Sequence, residues 1–375
     1  MKDLRAIAIF AGLMASVPLF VHSGVVLNLC MMALFATLLS QSWNILGGFG
    51  GQFSFGHALF FGMGAYTQGV FQIQFGLNPW LCLVLAMGSS AMLGLLVGGL
   101  SFRYGLKGSY FALITLAFAE VFRILALSAN FTGAGVGLML PLSESVGNMQ
   151  FSSRVGFIWL MLFWVVCALL ITSWLRRSRL GAYLQAVRDN EDAAQALGVD
   201  PFQVKWLACG LSAALMGVAG AFYLQVFQYI DPALAFGPHT SISALVGAIV
   251  GGMGTLWGPV LGAFALEILS ELTRNLFGEL PGINMVIYGA LLILIMVFLP
   301  RGFAGIRWQG LQRDVKRTPS SGSIGVSASV KGLEKRLQVG DALTSGAESQ
   351  PKSDRSKVQT WRVYKSNRCP SRLVV

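Results

Sequence analysis

Glutamine, serine and histidine at positions 52, 54 and 57 lie in the run GGFGGQFSFGHALFFGMGAY (Gly47–Tyr66), where seven of twenty residues are glycine. Three chemistries use such residues. Glycines ahead of a lysine cradle phosphate, histidines in groups bind metals, and serine with histidine makes a nucleophile. The run completes none of them. No G-x-x-x-x-G-K-[ST] occurs in the chain, nor H-E-x-x-H, nor G-x-S-x-G. His57 is far in sequence from His22 and His239. The five cysteines, Cys30, Cys82, Cys167, Cys209 and Cys369, show no C-x-x-C spacing, which argues against zinc and disulfides. No catalytic, cofactor-binding or metal site is expected, and the chain does not read as an enzyme.

The other chemistry-bearing residues are ionisable groups in or near apolar runs: Glu120, Arg123, Glu267, Glu271 and Arg274. Charges inside a membrane usually face a cavity or a partner. Glu120/Arg123 and Glu271/Arg274 are three residues apart, so each pair can satisfy itself on one helix face. Both arginines fall near the outer ends of their runs, within snorkelling reach. A proton relay needs several carboxylates or histidines at mid-depth. Glu120 and Glu267 are the only carboxylates that stand as candidates for a transport path.

The elements that must position these residues follow from composition. The chain has 375 residues, 55% hydrophobic and 11% charged, with a mean hydropathy of +0.66. Soluble domains carry about 25% charged residues. The chain reads as an all-α polytopic integral membrane protein. Apolar runs predict about ten spans (eight to ten), near 6–22, 24–46, 54–75, 79–102, 108–128, 155–175, 202–229, 238–254, 257–277 and 283–300. Short glycine-rich connections at 24–46/54–75 and 238–254/257–277 leave room for broken helices. Residues 1–22 mimic a signal peptide, but no A-x-A-like site follows, so an uncleaved first helix is expected.

Orientation follows from Lys and Arg, which stay in the cytoplasm. The densest basic connection holds Arg176, Arg177, Arg179, Arg188 and Lys205. Placing it inside also puts Lys2, Arg5, Arg103, Lys107 and Arg301 inside, with both termini cytoplasmic. The net charge of +11 arises mostly beyond residue 306, where fourteen Lys and Arg face five Asp and Glu. The membrane part is 1–306. Residues 307–375 are basic and rich in Ser and Gly, and disorder is expected. Membrane lipid is the expected surrounding, and nothing calls for nucleic acid.

Within the cytoplasmic segment, about 176–201, Leu180, Tyr183, Leu184 and Val187 recur at helical spacing. Asp189 or Asn190 then offers an N-cap, with Glu191 and Asp192 in the first turn, where the helix dipole favours negative charge. Gly198 fits a C′ position, and Pro201 blocks continuation. The acidic cluster opposes a floating lipid-surface helix and favours docking of a soluble partner.

Several blocks in order carry a family resemblance: NILGGFGGQFSFGHALFFGMGAY (44–66), LKGSYFALITLAFAEVFR (106–123), TGAGVGL (132–138), GAYLQAVRDNEDAAQALGV (181–199), GGMGTLWGPVLGA (251–263) and FLPRGFAGI (298–306). Together they resemble permease subunits of the high-affinity branched-chain amino acid ABC importers, of the LivM type. The resemblance implies a subunit of the bacterial inner membrane that forms part of the path for branched-chain or other apolar amino acids. It implies three kinds of partner: a second, LivH-like permease, two ATP-binding subunits that carry the ATP, and a periplasmic binding protein. It also implies that Gly181, Arg188, Glu191, Ala193, Ala194 and Gly198 belong to the segment that docks on the ATPase. Ala182 and Gln185 depart from arginines common in relatives, and the tail after Arg307 is longer than theirs. Relatives also move urea or short amides. A different class, an ion-gradient-driven secondary transporter, would need the intramembrane carboxylates named above. For the glycine-rich run, Ser54, Ala58, Gly62 and Ala65 share one small-residue face suited to helix contact and hinge motion. In the alternative, Gln52, Ser54 and His57 line a pathway.

Overall fold

The computed structural model describes residues 2–142 and 145–277, with Val286, Gly289 and Ala290. Almost all of the span expected at 283–300, Arg301 and the tail 307–375 lie outside the described residues. Helix α1 (Lys2–Phe20) is followed by α2 (Gly24–Trp43), which widens into one π-helical stretch at Asn44–Phe49. Then come α3 (His57–Gln74), α4 (Pro79–Arg103), α5 (Ser109–Ser128) and α6 (Arg154–Arg177). Two short helices, α7 (Arg179–Asp189) and α8 (Glu191–Ala196), lead into α9 (Pro201–Phe227). The described helices close with α10 (Pro232–Phe236), α11 (Pro238–Gly251) and α12 (Gly258–Phe277). Two-residue strands β1 (Leu138–Met139) and β2 (Tyr229–Ile230) pair antiparallel.

Helix starts are written into the sequence. Asn78 caps α4, accepting from the Trp80 amide at 2.9 Å, and Pro79 fills the first helical position. Asp200 with Pro201 and Asp231 with Pro232 repeat the device for α9 and α10. Proline suits that position because its missing N–H has no intrahelical partner there.

Among the described residues, seven stretches are long and apolar enough to cross a membrane: Asp3–Phe20, Gly24–Phe49, Pro79–Arg103, Ser109–Ser128, Arg154–Arg177, Pro201–Phe227 and Pro232–Gly251. Helices α3 and α12 run through expected spans but are more polar. The first carries His57, Gln68, Gln72 and Gln74, the second Glu267, Glu271 and Arg274. The expected 238–254 span is the continuous helix α11, and the break falls just before it. Gly237 is extended between α10 and α11, and Pro238 restarts the helix.

Helix α9 is buried along most of its length, against α3 and α4. Small residues make the approach. Gly64 lies on the Gly217 backbone, so a Cβ there would overlap the Gly217 carbonyl. Gly94 and Gly98 of α4 face Ala213 and Cys209 of α9, Gly247 of α11 faces Ser40 of α2, and Gly251 of α11 faces Gly258 of α12. In a membrane, lipid is as apolar as leucine, so helices associate by such close packing.

Side-chain contacts define the two ends. Asp3 pairs with Arg177 at 2.8 Å, and Lys107 pairs with Glu191 at 3.2 Å. These bring the start of α1, the α4–α5 turn, the end of α6 and the α7–α8 segment to one basic end. The positive-inside rule assigns that end to the cytoplasm. At the other end, Trp80 donates to the Val146 carbonyl and Gln74 to the Phe131 carbonyl.

Candidate functional site

The α7–α8 segment projects from the cytoplasmic end, and its mounting is specific. Ser178 caps α7 by accepting from the Gly181 amide at 3.2 Å. Gly181 is buried, and a Cβ there would overlap the Leu175 carbonyl, so the turn from α6 into α7 needs glycine. Leu184 and Val187 turn inward. Asn190 caps α8, accepting from the Ala193 amide at 3.0 Å. Gly198 follows the helix with φ +86°, a conformation glycine adopts without strain.

Two ionic anchors fix this segment to the membrane part. Glu191 accepts from Lys205 at 2.7 Å and lies 3.2 Å from Lys107. Lys205 is only 3% exposed and sits 5.7 Å from the centroid of the Phe102 ring. Burial works to raise the Glu191 carboxyl, but Lys205 and then Lys107 hold it below the ordinary glutamate value. The second anchor is Arg188, which donates to the Gly48 carbonyl at 2.8 Å. Its side chain packs over Gly51, which has φ +65°.

Gly48 belongs to the π-helical stretch, and that stretch clasps the α11–α12 connection. Asn44 accepts from the Gly254 amide at 2.7 Å and donates to the Thr255 carbonyl at 3.0 Å. Gln41 donates to the Leu256 carbonyl at 3.1 Å. A Cβ at Gly48 would overlap the Asn44 side chain and crowd the Gly254 amide. The glycines of the opening run thus admit a second loop against a widened helix end. A load on α7 reaches α2, α11 and α12 through one arginine and one asparagine.

Away from its anchors, the segment presents Ala182, Tyr183, Gln185, Ala186 and Asp189 of α7, Asp192, Ala193, Gln195 and Ala196 of α8, and Leu197 beyond it. Leu197 is 85% exposed. Of the residues singled out for docking, Ala193 lies on that surface. Gly181 and Ala194 are buried, Arg188 and Glu191 point to the core, and Gly198 terminates α8.

The other candidates are scattered. His57 is fully buried, with Nε2 2.9 Å from Ser212 Oγ, where α3 meets α9. Ser212 and Ser42 exchange hydroxyl-to-carbonyl bonds at 2.7 Å each way. Ser54 Oγ accepts from the Gly56 amide at 3.2 Å, and its carbonyl accepts from Trp43 at 2.9 Å. Gln52 is buried beside Gly50, and a Cβ on Gly62 would meet the Phe236 ring. None of these lines either of the two larger cavities bounded by described residues. Glu120 is exposed on α5, gripped by Arg123 at 2.8 Å. Glu271 lies 3.4 Å from Arg274, whereas Glu267 lines a cavity between α2, α3 and α9 to α12. No group of three or more His, Cys, Asp or Glu suited to a metal occurs among the described residues.

Asn44, Lys107, Lys205 and Gly254 were not singled out as site residues from sequence. Lys205 carries the one signal that was available: a lysine among Val204, Trp206 and Leu207 needs a partner if the helix is buried.

A profile described as "Branched-chain amino acid transport system / permease component" matches residues 25–296. The high-affinity branched-chain amino acid transport system permease protein LivM of Salmonella typhimurium is 31% identical over 310 residues, covering 76% of this chain and 71% of that protein. LivM of Escherichia coli is 30% identical over the same shares. LivH of Salmonella typhimurium is 29% identical over 191 residues, covering 51% of this chain and 58% of that protein.

Proposed function

Since the chain belongs to the family of branched-chain amino acid transport permeases, we propose that it is one of two related permease subunits of an ATP-driven importer in a bacterial inner membrane. The cargo is a branched-chain or other apolar amino acid, handed over by a periplasmic binding protein. ATP is bound and hydrolysed on two separate subunits that dock beneath the membrane. This chain binds no nucleotide or other cofactor. Similarity to relatives in both the LivM and LivH groups supports the paired arrangement.

The observation that carries the reading is the α7–α8 segment, exposed on one face and anchored on the other by Arg188 and Glu191. The exposed face receives the ATPase. The anchors pass its movement to α2, α11 and α12. The side chains at the contact are Tyr183, Gln185 and Leu197, while Asp189 and Asp192 pair within the chain with Arg188 at 3.4 Å and Lys107 at 3.8 Å.

Co-purification tests this. The chain is expressed with candidate ATPase subunits and a second permease of the LivH group, and the complex is isolated in detergent. Leu197→Glu is expected to release the ATPase while leaving the chain folded. Recovery of an unchanged complex from Leu197→Glu and Tyr183→Glu would refute the docking face.

A further inference from the structure

A cavity of about 410 Å³ opens between α2, α3 and α9 to α12. Glu267, His239, Thr240 and Ser243 stand on its wall with Tyr223, and the remainder is apolar side chain. Glu267 has no hydrogen bond or ion pair with any described residue. Its neighbour Arg274 is taken by Glu271 at 3.4 Å.

The cavity lies at mid-depth. Helix α11 ends at Gly251, beside the loop bound to Asn44 at the cytoplasmic end. Its 14 residues rise about 21 Å, short of the roughly 30 Å hydrocarbon core. Thr240 and Ser243, near its start, therefore sit well inside the membrane. Glu267 is nine positions along α12 from Gly258, about 14 Å from that same end.

An unpaired carboxylate at this depth is expensive unless something cationic meets it. The other intramembrane carboxylates among the described residues, Glu120 and Glu271, each have an arginine. We infer that Glu267 receives the ammonium group of the cargo amino acid, while the apolar wall takes its aliphatic side chain. Thr240 and Ser243 donate their hydroxyls to the Leu234 and His239 carbonyls, which leaves their oxygen lone pairs to accept from the ammonium. The inference rests on the amino acid reading of the cargo given above, and adds to it a transient subsite within this subunit. A neutral cargo such as urea would leave Glu267 without a partner, so the subsite selects for a cation with an apolar body.

The test uses the full complex in proteoliposomes, with radiolabelled leucine, the binding protein outside and ATP inside. Glu267→Gln keeps shape and removes charge. It is expected to lower leucine uptake roughly tenfold or more, the scale for removing one member of a desolvated charge pair. Binding-protein-stimulated ATP hydrolysis is expected to persist, and Glu267→Asp to recover part of the uptake. Leucine uptake at the wild-type rate by Glu267→Gln would overturn the inference, as would equal loss of uptake and ATP hydrolysis, which marks a structural role. If Glu267→Gln fails to assemble, Ala36→Phe decides, because it fills the same cavity from α2 without touching the charge. Lost uptake with retained ATP hydrolysis supports the subsite, and normal uptake overturns it. A wild-type complex that moves no amino acid at all would sink the cargo assignment instead.

Discussion

Lys205 is buried to 3% exposure, and its ammonium rests on Glu191 at 2.7 Å. Removing one member of a buried ion pair strands the other, at roughly 3–5 kcal/mol. Glu191→Ala is therefore expected to loosen α8 and the start of α9, read as faster hydrogen exchange across residues 190–206. Unchanged exchange would show that the pair contributes nothing. Glu191 is held below its ordinary value of 4.5, so its stabilisation is present above that pH and is lost as pH falls through the lowered value. Exchange in this segment should rise on acidification below about pH 4.5, and Glu191→Gln should abolish that dependence. His57 teaches a different lesson. Its sequence surroundings suggested a pathway residue as readily as a packed one. Inside the fold, its ring fills the α2–α3–α9 junction with Nε2 on Ser212. His57→Ala should lower the thermal stability of the complex, with leucine uptake per assembled complex largely kept. Lost uptake in a stable complex would restore the pathway reading. Sequence alone could not decide, because Ser212 lies 155 residues away.

Helix α3 meets α9 through glycine, and the two glycines of its middle turn differ in what they face. Gly64 abuts the Gly217 backbone, whereas Gly62 abuts the Phe236 ring. Backbone cannot give way, and a side chain can turn. Gly64→Ala should destabilise by about 1–3 kcal/mol, the range for overpacking a close contact, and Gly62→Ala by less. Equal melting temperatures for both variants would contradict that contact geometry. The sequence reading placed Ser54, Ala58, Gly62 and Ala65 on the contact face. It missed Gly64, because spacing identifies a stripe but not the neighbour that comes nearest. The short elements were more legible. Asn190 as cap, Gly198 as terminator and Pro201 as the next start act within a few residues of chain, and all three stand as expected. The π-helical widening at Asn44–Phe49 left no such local signature. It is held open by Gly254 and Thr255, contacts across more than 200 residues.

At the scale of the molecule, several basic residues expected on one face share one end, because lysine and arginine act one by one, without knowledge of packing. Lys107, Arg177, Arg188 and Lys205 do gather at one end, by direct contact with the coupling segment or with α1. The tie from α7 to the α11–α12 connection was not legible, since it runs through a carbonyl of Gly48 and a side chain of Asn44. In the proposed importer, that tie is the relay by which a docked ATPase acts on the membrane path. The most direct measurement is leucine uptake into proteoliposomes by the full complex, with ATP supplied or withheld and ion gradients imposed or collapsed. The relay requires uptake that follows ATP, needs the binding protein, and falls sharply in Arg188→Ala while ATP hydrolysis continues. Uptake by this chain alone, driven by an ion gradient without ATP, would contradict it.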